Sequence, residues 1–175
     1  MTTWQRLEAG SAERRLCLAM NRWGARHALR RFFGVISRLG DGVFWYALMA
    51  VLATFGGTRG IVSALHMALI GIVAATMYKG LKRWTRRPRP FRTHDAIIPY
   101  VAPLDEFSFP SGHTLHAVSF TWQCAAHFPE LLLVLVPLAA LIAASRVVLG
   151  LHYPSDVLAG AALGAALAAL GVALA

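Results

Sequence analysis

Long uncharged runs alternate with short polar segments along most of this chain. Gly60–Tyr78 and Val157–Ala175 contain no Asp, Glu, Lys or Arg over 19 positions each. At about 1.5 Å per residue, a helix of that length comes close to the ~30 Å of a bilayer's hydrocarbon core. Leu131–Ser145 and Gly42–Phe55 are shorter runs of the same kind. The pattern predicts membrane-spanning helices.

A fifth run, Thr114–Phe128, is less apolar because it includes His116, Gln123 and His127. Polar side chains at membrane depth tend to face the interior of a helix bundle, so this run also counts as a span. The predicted fold class is therefore all-α, a polytopic membrane helix bundle of about five to six spans.

The first 40 residues differ, because large apolar side chains such as Trp4, Leu7, Trp23 and Phe33 are mixed with eight arginines. This mixture predicts one or more amphipathic helices lying in the membrane interface; a partly disordered basic tail is the alternative. The chain then divides into this basic segment, residues 1–40, and a transmembrane bundle, residues 41–175. The bundle contains a proline-rich loop at 83–110, and loops this long are often functional.

Composition agrees with a membrane protein. Hydrophobic residues make up 57% of the chain and charged residues 14%, where soluble proteins have about 25% charged residues. The net charge of +9 would suit a nucleic-acid binder, but 15 of the 17 Lys and Arg lie before residue 40 or between Lys79 and Arg92. No nucleic-acid partner is predicted. Cys17 and Cys124 have neither ligand spacing nor a disulfide framework and are predicted to be packing residues.

Alternating passes place four ends of spans on one side of the membrane. The second span ends near Lys79, the third begins near His113, the fourth ends near Arg146 and the fifth begins near Pro154. Polar residues that are distant in sequence should therefore converge there. They are Lys82, Arg89, Ser111, Gly112, His113, Arg146, His152 and Asp156.

The residue types in this group suit phosphate chemistry. Arg presents a planar fork and Lys a compact charge, and both bind phosphate oxygens. Ser111 and Gly112 open a span, so backbone N–H groups at the positive end of a helix point to the same place. Asp156 can hold one nitrogen of His152 and leave the other as a nucleophile, while His113 protonates the leaving oxygen. This predicts two-step phosphoryl transfer through a phospho-histidine, completed by water.

Other interpretations of the same residues remain open. The basic cluster around Lys82 and Arg89 could anchor acidic headgroups at the membrane surface. His113, His152 and Asp156 could hold a metal ion, although three neighbouring cations oppose a divalent ion. An anion pathway would explain the charges but would leave the two histidines without a purpose. A phosphotransferase, passing the phosphoryl group to an alcohol instead of water, is chemically equivalent up to the last step.

The spacing of these residues resembles a known family. Lys82-x6-Arg89-Pro90, Pro110-Ser111-Gly112-His113 and Ser145-Arg146-x5-His152-x3-Asp156 are similar to the three-part motif of the type 2 phosphatidic acid phosphatases, which also include vanadium-dependent haloperoxidases. The resemblance covers Lys82 to Asp156 and leaves the first 40 residues unmatched.

The resemblance implies an integral membrane lipid phosphatase that works without a metal or other cofactor. Lys82, Arg89 and Arg146 would bind phosphate, with Ser111 and the Gly112 amide. His152 would be the nucleophile, Asp156 its partner and His113 the acid. The substrate would be a phosphorylated lipid such as phosphatidic acid, phosphatidylglycerophosphate, undecaprenyl diphosphate or lipid A. Oligomeric state is not predicted.

The side of the membrane is the point on which two arguments disagree. An odd number of spans places the N-terminus and the predicted site on one side, with 16 of the 17 Lys and Arg. The positive-inside rule makes that side cytoplasmic. Bacterial lipid phosphatases of the family that it resembles commonly face the periplasm and often have six spans. The charge count favours the cytoplasmic face of a bacterial inner membrane only slightly, because several of those cations belong to the predicted site.

Overall fold

The computed structural model describes residues 12–174 and, within that range, contains helices and no strand. The α-helices are α1 (Ala12–Gly24), α2 (His27–Leu39), α3 (Val43–Phe55), α4 (Gly57–Thr85), α5 (Pro90–Thr93), α6 (Gly112–His127), α7 (Leu132–Val148) and α8 (Pro154–Ala173). A short 3-10 helix, Pro129–Leu131, joins α6 to α7. The prediction of an all-helical chain is confirmed for the residues described.

Most of each uncharged run lies in a helix over the residues described, but not every helix is as long as a membrane is thick. Gly57–Thr93, Pro129–Val148 and Pro154–Ala173 are long and apolar enough to cross a membrane. Helices α2 and α3 provide a fourth candidate if they form one span bent by 48°. Helix α6, at 16 residues, is shorter than a full span. The number of five to six spans stays a prediction.

Helix α4 extends beyond its predicted span at the end that carries the site. The uncharged run stops at Tyr78, whereas the helix continues to Thr85. Lys and Arg are good helix formers, so charge ends the apolar run without ending the helix. Lys82 is consequently held on a rigid helix.

The N-terminal helices pack on the bundle through polar as well as apolar contacts. The side-chain amide of Asn21 in α1 donates to the carbonyls of Ile98 and Val148 and accepts from the N–H of Ile98. Cys17 and Phe33 are buried. Trp4 and Leu7 lie outside the described residues. The division at residue 40 and the interfacial placement stay predictions.

Small residues bring α6 and α8 together. A side chain at Gly160 would lie 2.6 Å from the carbonyl oxygen of Ser111, and one at Gly164 would lie 2.5 Å from that of Leu115. These glycines therefore serve close helix packing within the chain. The core beside them includes Trp45, Phe120 and the buried thiol of Cys124.

The predicted loop at 83–110 folds over one end of the bundle. Its backbone N–H groups at Tyr100 and Ser108 donate to the carbonyls of Leu149 and Arg87, at 3.2 and 2.9 Å. The first bond holds the loop against the end of α7, beside the predicted site residues, and the second joins two parts of the loop.

Candidate active site

The predicted site residues come from five separate places at that end of the bundle. Lys82 lies in the last turn of α4, Arg89 precedes α5, Gly112 and His113 begin α6, and Arg146 lies in the last turn of α7. His152 lies in the turn before α8, and Asp156 lies in the first turn of that helix. The alternation of apolar helices therefore brings together residues up to 74 positions apart.

A cavity of about 840 Å³ opens among these residues. Six of the eight predicted residues line it, and Ser111 and Asp156 lie behind its wall. The six are Lys82, Arg89, Gly112, His113, Arg146 and His152.

His152 is buried, with 1% of its surface exposed, and its two ring nitrogens face different groups. Nδ1 lies 3.5 Å from Oδ2 of Asp156, which is longer than an ordinary hydrogen bond. Nε2 lies 3.3 Å from a guanidinium nitrogen of Arg89, on the side of the cavity. Burial lowers the pKa of His152 well below its ordinary value, and the charges of Arg89 and Arg146 lower it further. The ring is therefore neutral near pH 7, as a nucleophile requires.

Asp156 is fixed more strongly by other groups than by His152. Its Oδ2 accepts from the backbone N–H of Tyr153 at 2.8 Å, which caps α8. Its Oδ1 accepts from Arg87 at 2.7 Å. Arg87 also binds Ser155 Oγ at 2.6 Å and Glu13 of α1 at 3.0 Å. Both charges are buried, so this pair holds the carboxylate rigidly behind His152.

Lys82 and Arg89 share a carboxylate from the loop. Nζ of Lys82 donates to both oxygens of Asp105, at 2.7 and 2.9 Å, and to the carbonyl of Phe107 at 2.8 Å. Arg89 donates to the same carboxylate at 2.7 Å and to the Asp105 carbonyl at 3.0 Å. Its other terminal nitrogen donates to the carbonyl of Leu151 at 2.7 Å.

Arg146 is a buried cation whose surroundings differ from those of Lys82 and Arg89. It is 2% exposed, and its Nη1 donates to Ser37 Oγ of α2. Its Nε has no hydrogen-bond partner among residues 12–174, and none of the carboxylates described there forms an ion pair with it. A buried guanidinium without a counter-ion is costly, so the cavity that it lines is suited to an anion.

His113 has a carboxylate partner of its own. Its Nε2 lies 2.5 Å from Oδ1 of Asp41, in the turn between α2 and α3. Gly40 and Gly42 flank Asp41, and a side chain at Gly40 would lie 3.0 Å from the His113 ring. Gly42 has φ of +116°, a conformation that glycine adopts readily. This turn can therefore approach the start of α6 closely.

Ser111 has a structural place in the fold. Its Oγ accepts from the N–H of Thr114 at 3.5 Å and lies 3.0 Å from the Thr114 hydroxyl, so it caps α6. Its own N–H donates to the carbonyl of Asp156 at 3.0 Å. Gly112, the first residue of the helix, is the member of this pair that lines the cavity.

Several residues at the site were not singled out by the sequence. Asp41, Asp105 and Glu13 belong to none of the three motifs, and their roles depend on contacts across the fold. Arg87 belongs to a run of basic residues that suggested a surface anchor, yet it is 6% exposed. His116, one of the polar residues of the fifth uncharged run, lines the cavity one turn below His113. The sequence does contain one useful signal. It has only eight Asp and Glu residues, so each could have been considered in turn as a partner for a buried Lys or Arg.

The metal interpretation of His113, His152 and Asp156 finds no matching geometry. Within the part of the chain that the structure describes, no three His, Cys, Asp or Glu side chains are grouped to hold a metal ion. The two histidines instead face Asp41 and Asp156 separately.

Comparison with known proteins identifies the family. The model of the PAP2 superfamily matches residues 43–175. The chain belongs to the PAP2 superfamily. The resemblance of the three motifs is thereby confirmed, whereas Glu13, Ser37 and Asp41 lie before the matched range.

Its relatives are lipid phosphatases. Over 137 residues the chain is 36% identical to the decaprenylphosphoryl-5-phosphoribose phosphatase of Mycobacterium tuberculosis, covering 77% of this chain and 74% of the relative. Over 157 residues it is 29% identical to the lipid A 1-phosphatase of Rhizobium etli, covering 78% and 67%. A second lipid A 1-phosphatase, from Rhizobium johnstonii, is 31% identical over 151 residues, but 62% of its length is covered.

Solved structures agree. The crystal structure of the transmembrane PAP2 type phosphatidylglycerolphosphate phosphatase from Bacillus subtilis superposes with a TM-score of 0.79 at 28% identity, covering 95% of this chain and 85% of that one. Aquifex aeolicus LpxE also gives 0.79, at 26% identity, with coverage of 91% and 93%. With its apolar helices, this chain is a multi-pass membrane protein and a phosphatase of this family.

Proposed function

We propose that the chain hydrolyses a phosphate monoester or diphosphate of a membrane lipid, using His152 as the nucleophile. The observation that carries the proposal is the buried guanidinium of Arg146, which has no carboxylate partner among the described residues and lines the same cavity as His152. A tetrahedral anion in that cavity would supply the missing negative charge.

The shape of the cavity supports a lipid substrate. One face of α4 follows it, with Lys82 at the polar end and Ala75, Gly71 and Ala68 at the apolar end. Fourteen residues separate Ala68 from Lys82, or about 21 Å along a helix. The small side chains leave room for an apolar chain, whose phosphate would then lie beside Lys82.

The first chemical step follows from the two faces of His152. With its Nδ1 proton directed at Asp156, the Nε2 lone pair faces the cavity and attacks phosphorus. The bond between phosphorus and the leaving oxygen breaks, and protonated His113 gives its proton to that oxygen. A lipid alcohol, or a lipid monophosphate from a diphosphate, is released, and the phosphoryl group remains on His152.

Water completes the reaction. It attacks the phosphoryl group while neutral His113 accepts its proton, and the bond between phosphorus and Nε2 breaks. Inorganic phosphate leaves, and His152 and protonated His113 are restored. Lys82, Arg89, Arg146 and the Gly112 amide would stabilise the negative charge on the transferred group, with Ser111 fixing the start of the helix.

The relatives indicate the chemical class of substrate. They are named for lipid A, decaprenylphosphoryl-5-phosphoribose, undecaprenyl diphosphate and phosphatidylglycerophosphate. We propose a substrate from the same class, a terminal phosphate or diphosphate on a long-chain lipid within the bilayer.

Phosphate release by detergent-purified protein, with chelator present, tests this proposal. The substrates would be phosphatidic acid, phosphatidylglycerophosphate, undecaprenyl diphosphate and a water-soluble aryl phosphate. We expect vanadate-sensitive release that His152→Ala abolishes, with His113→Ala lower by about 10²–10⁴-fold. His66→Ala, at a histidine outside the cavity lining, is the matched control and should retain activity. Undiminished release by His152→Ala would contradict the proposal.

We also propose a topology of about five spans with the site and the N-terminus on the cytoplasmic face, because 16 of 17 Lys and Arg belong to that side. Glu106→Cys at the site and Thr58→Cys at the other end of α4 provide labelling positions, and both residues are exposed. A membrane-impermeant maleimide on intact spheroplasts should label Thr58→Cys alone. Labelling of Glu106→Cys alone would place the site on the periplasmic face.

A further inference from the structure

Asp105 occupies the place where the site would bind phosphate. Its carboxylate lies 2.7 Å from Nζ of Lys82 and 2.7 Å from Nη2 of Arg89, and both cations line the cavity. A carboxylate and a phosphate present the same kind of oxygen to the same donors. Substrate and Asp105 therefore compete for these two side chains.

Lys82 has too few N–H donors to keep all its present hydrogen bonds and also bind a phosphate. An ammonium group has three N–H donors. Here they reach the two oxygens of Asp105 and the carbonyl of Phe107, at 2.7 to 2.9 Å. A phosphate oxygen can bind Lys82 directly only after one of these bonds breaks.

Asp105 is also placed so that it can leave. Its side chain is 40% exposed, whereas those of Lys82 and Arg89 are 6% and 1% exposed. It belongs to the loop before α6 and not to a helix. When it moves, its charge passes into water while the two cations keep their buried positions.

Charge decides which anion can displace it. Lys82, Arg89 and Arg146 carry three positive charges, and with the negative charge of Asp105 the net charge of these four groups is +2. A phosphodiester carries one negative charge, so replacing Asp105 with it gains little electrostatically. A terminal phosphate carries about −1.5 to −2 at pH 7 and is attracted more strongly by the same cations.

We propose that Asp105 is a specificity-determining residue, which admits a terminal, dianionic phosphate and excludes the phosphodiester headgroups that surround the protein in a bilayer. The inference rests on the proposed function for its substrate class. The competition itself concerns anion binding and can be measured without turnover.

The test compares anion binding and inhibition in the purified full chain. Asp105→Asn and Asp105→Ser remove the carboxylate, while Asp95→Asn removes another charge from the same loop. Asp95 is exposed and does not line the cavity, so it is a matched control. Inorganic phosphate binding is measured by thermal shift, and phosphatidylglycerol in mixed micelles serves as the phosphodiester inhibitor of aryl phosphate hydrolysis.

We expect both Asp105 variants to bind inorganic phosphate about tenfold more tightly than wild type, as removal of one nearby negative charge should give. Phosphatidylglycerol should inhibit them at about tenfold lower concentration, and Asp95→Asn should stay within twofold of wild type. Weaker phosphate binding, unchanged phosphodiester inhibition, or failure of both Asp105 variants to fold would overturn the proposal. Tighter phosphate binding in a protein that hydrolyses none of the substrates would support Asp105's role while contradicting the phosphatase function.

Discussion

The two sides of the cavity hold their charged groups in different ways. On the side of His152, Asp156 is 0% exposed and His152 is 1% exposed, and backbone and guanidinium donors fix the Asp156 carboxylate. On the opposite side, Asp105 is 40% exposed and lies on a loop. Both carboxylates pair with arginine at 2.7 Å, so distance alone does not distinguish them.

The difference shows which ion pair in this phosphatase could be broken and replaced by a contact with substrate. The Arg87–Asp156 pair is sealed between α1, the loop and α8, and breaking it would leave a buried charge without compensation. The Lys82–Asp105 pair has a partner that can return to water. The first pair is therefore suited to orienting a nucleophile and the second to being replaced by substrate.

Disrupting the ion pair between Arg87 and Asp156 should have the largest effect. Arg87→Gln removes the arginine partner of Asp156 and Glu13, and we expect a loss of about 3–5 kcal/mol in stability together with nearly complete loss of activity. Denaturation in detergent and phosphate release measure the two effects. Arg86→Gln, at an exposed neighbour, should change neither by much. Wild-type stability in Arg87→Gln would show that the pair does not fix this side.

His113 and its partner Asp41 lie between the two extremes, since Asp41 is 35% exposed. Asp41→Asn replaces a charged hydrogen bond with a neutral one, and such bonds contribute about 1.5–3 kcal/mol. We expect kcat to fall by about 10- to 100-fold with little change in KM, because proton transfer is affected and phosphate binding is not. Asp95→Asn, at an exposed acid in the loop, is the control. A change in KM alone would assign Asp41 to substrate binding.

The apolar end of the cavity should matter for long-chain lipids alone. Ala68→Phe places a large ring in the groove, and we expect kcat/KM for undecaprenyl diphosphate to fall by about tenfold. Activity on a water-soluble aryl phosphate should stay within twofold of wild type. Val73→Phe, on a part of α4 outside the cavity lining, controls for helix disruption. Equal losses on both substrates would argue against a lipid tail in this groove.

The smallest expected effect is on the pH dependence of kcat/KM. It rests on the charge states of His152 and Asp105, which lie on the two sides of the cavity. Burial raises the pKa of Asp105, but Lys82 and Arg89 outweigh it and hold that pKa below 3.8, so the carboxylate stays charged above pH 5. The pKa of His152 lies well below 6.5, chiefly through burial, so its ring remains neutral near pH 6.

The dianion of a phosphate monoester takes up one proton at about pH 6 and becomes a monoanion. Wild-type kcat/KM should therefore decline a few-fold as the pH falls from about 7 to about 5.5, because the monoanion displaces Asp105 poorly. In Asp105→Asn this decline should be shallower. Identical profiles would assign the decline to the protein and not to the charge of the substrate.

Much of the fold and the core of the site could be predicted from the sequence. Runs such as Gly60–Tyr78 predict helices because their length and apolarity match the hydrocarbon core of a bilayer. Convergence of His113 and His152 followed from counting passes. Asp105 could not be found in this way, because its two partners are 23 and 16 positions away and no periodicity connects them.

The sequence by itself determined the helical class, the family and the set of groups that gather around the cavity, because apolar length and motif spacing are local properties. The tertiary structure alone decided which carboxylate faces which cation. Asp156 pairs with Arg87, Asp41 pairs with His113, and Asp105 pairs with Lys82. Ion pairing depends on separations of a few ångströms and on burial, and both arise only when distant segments pack together.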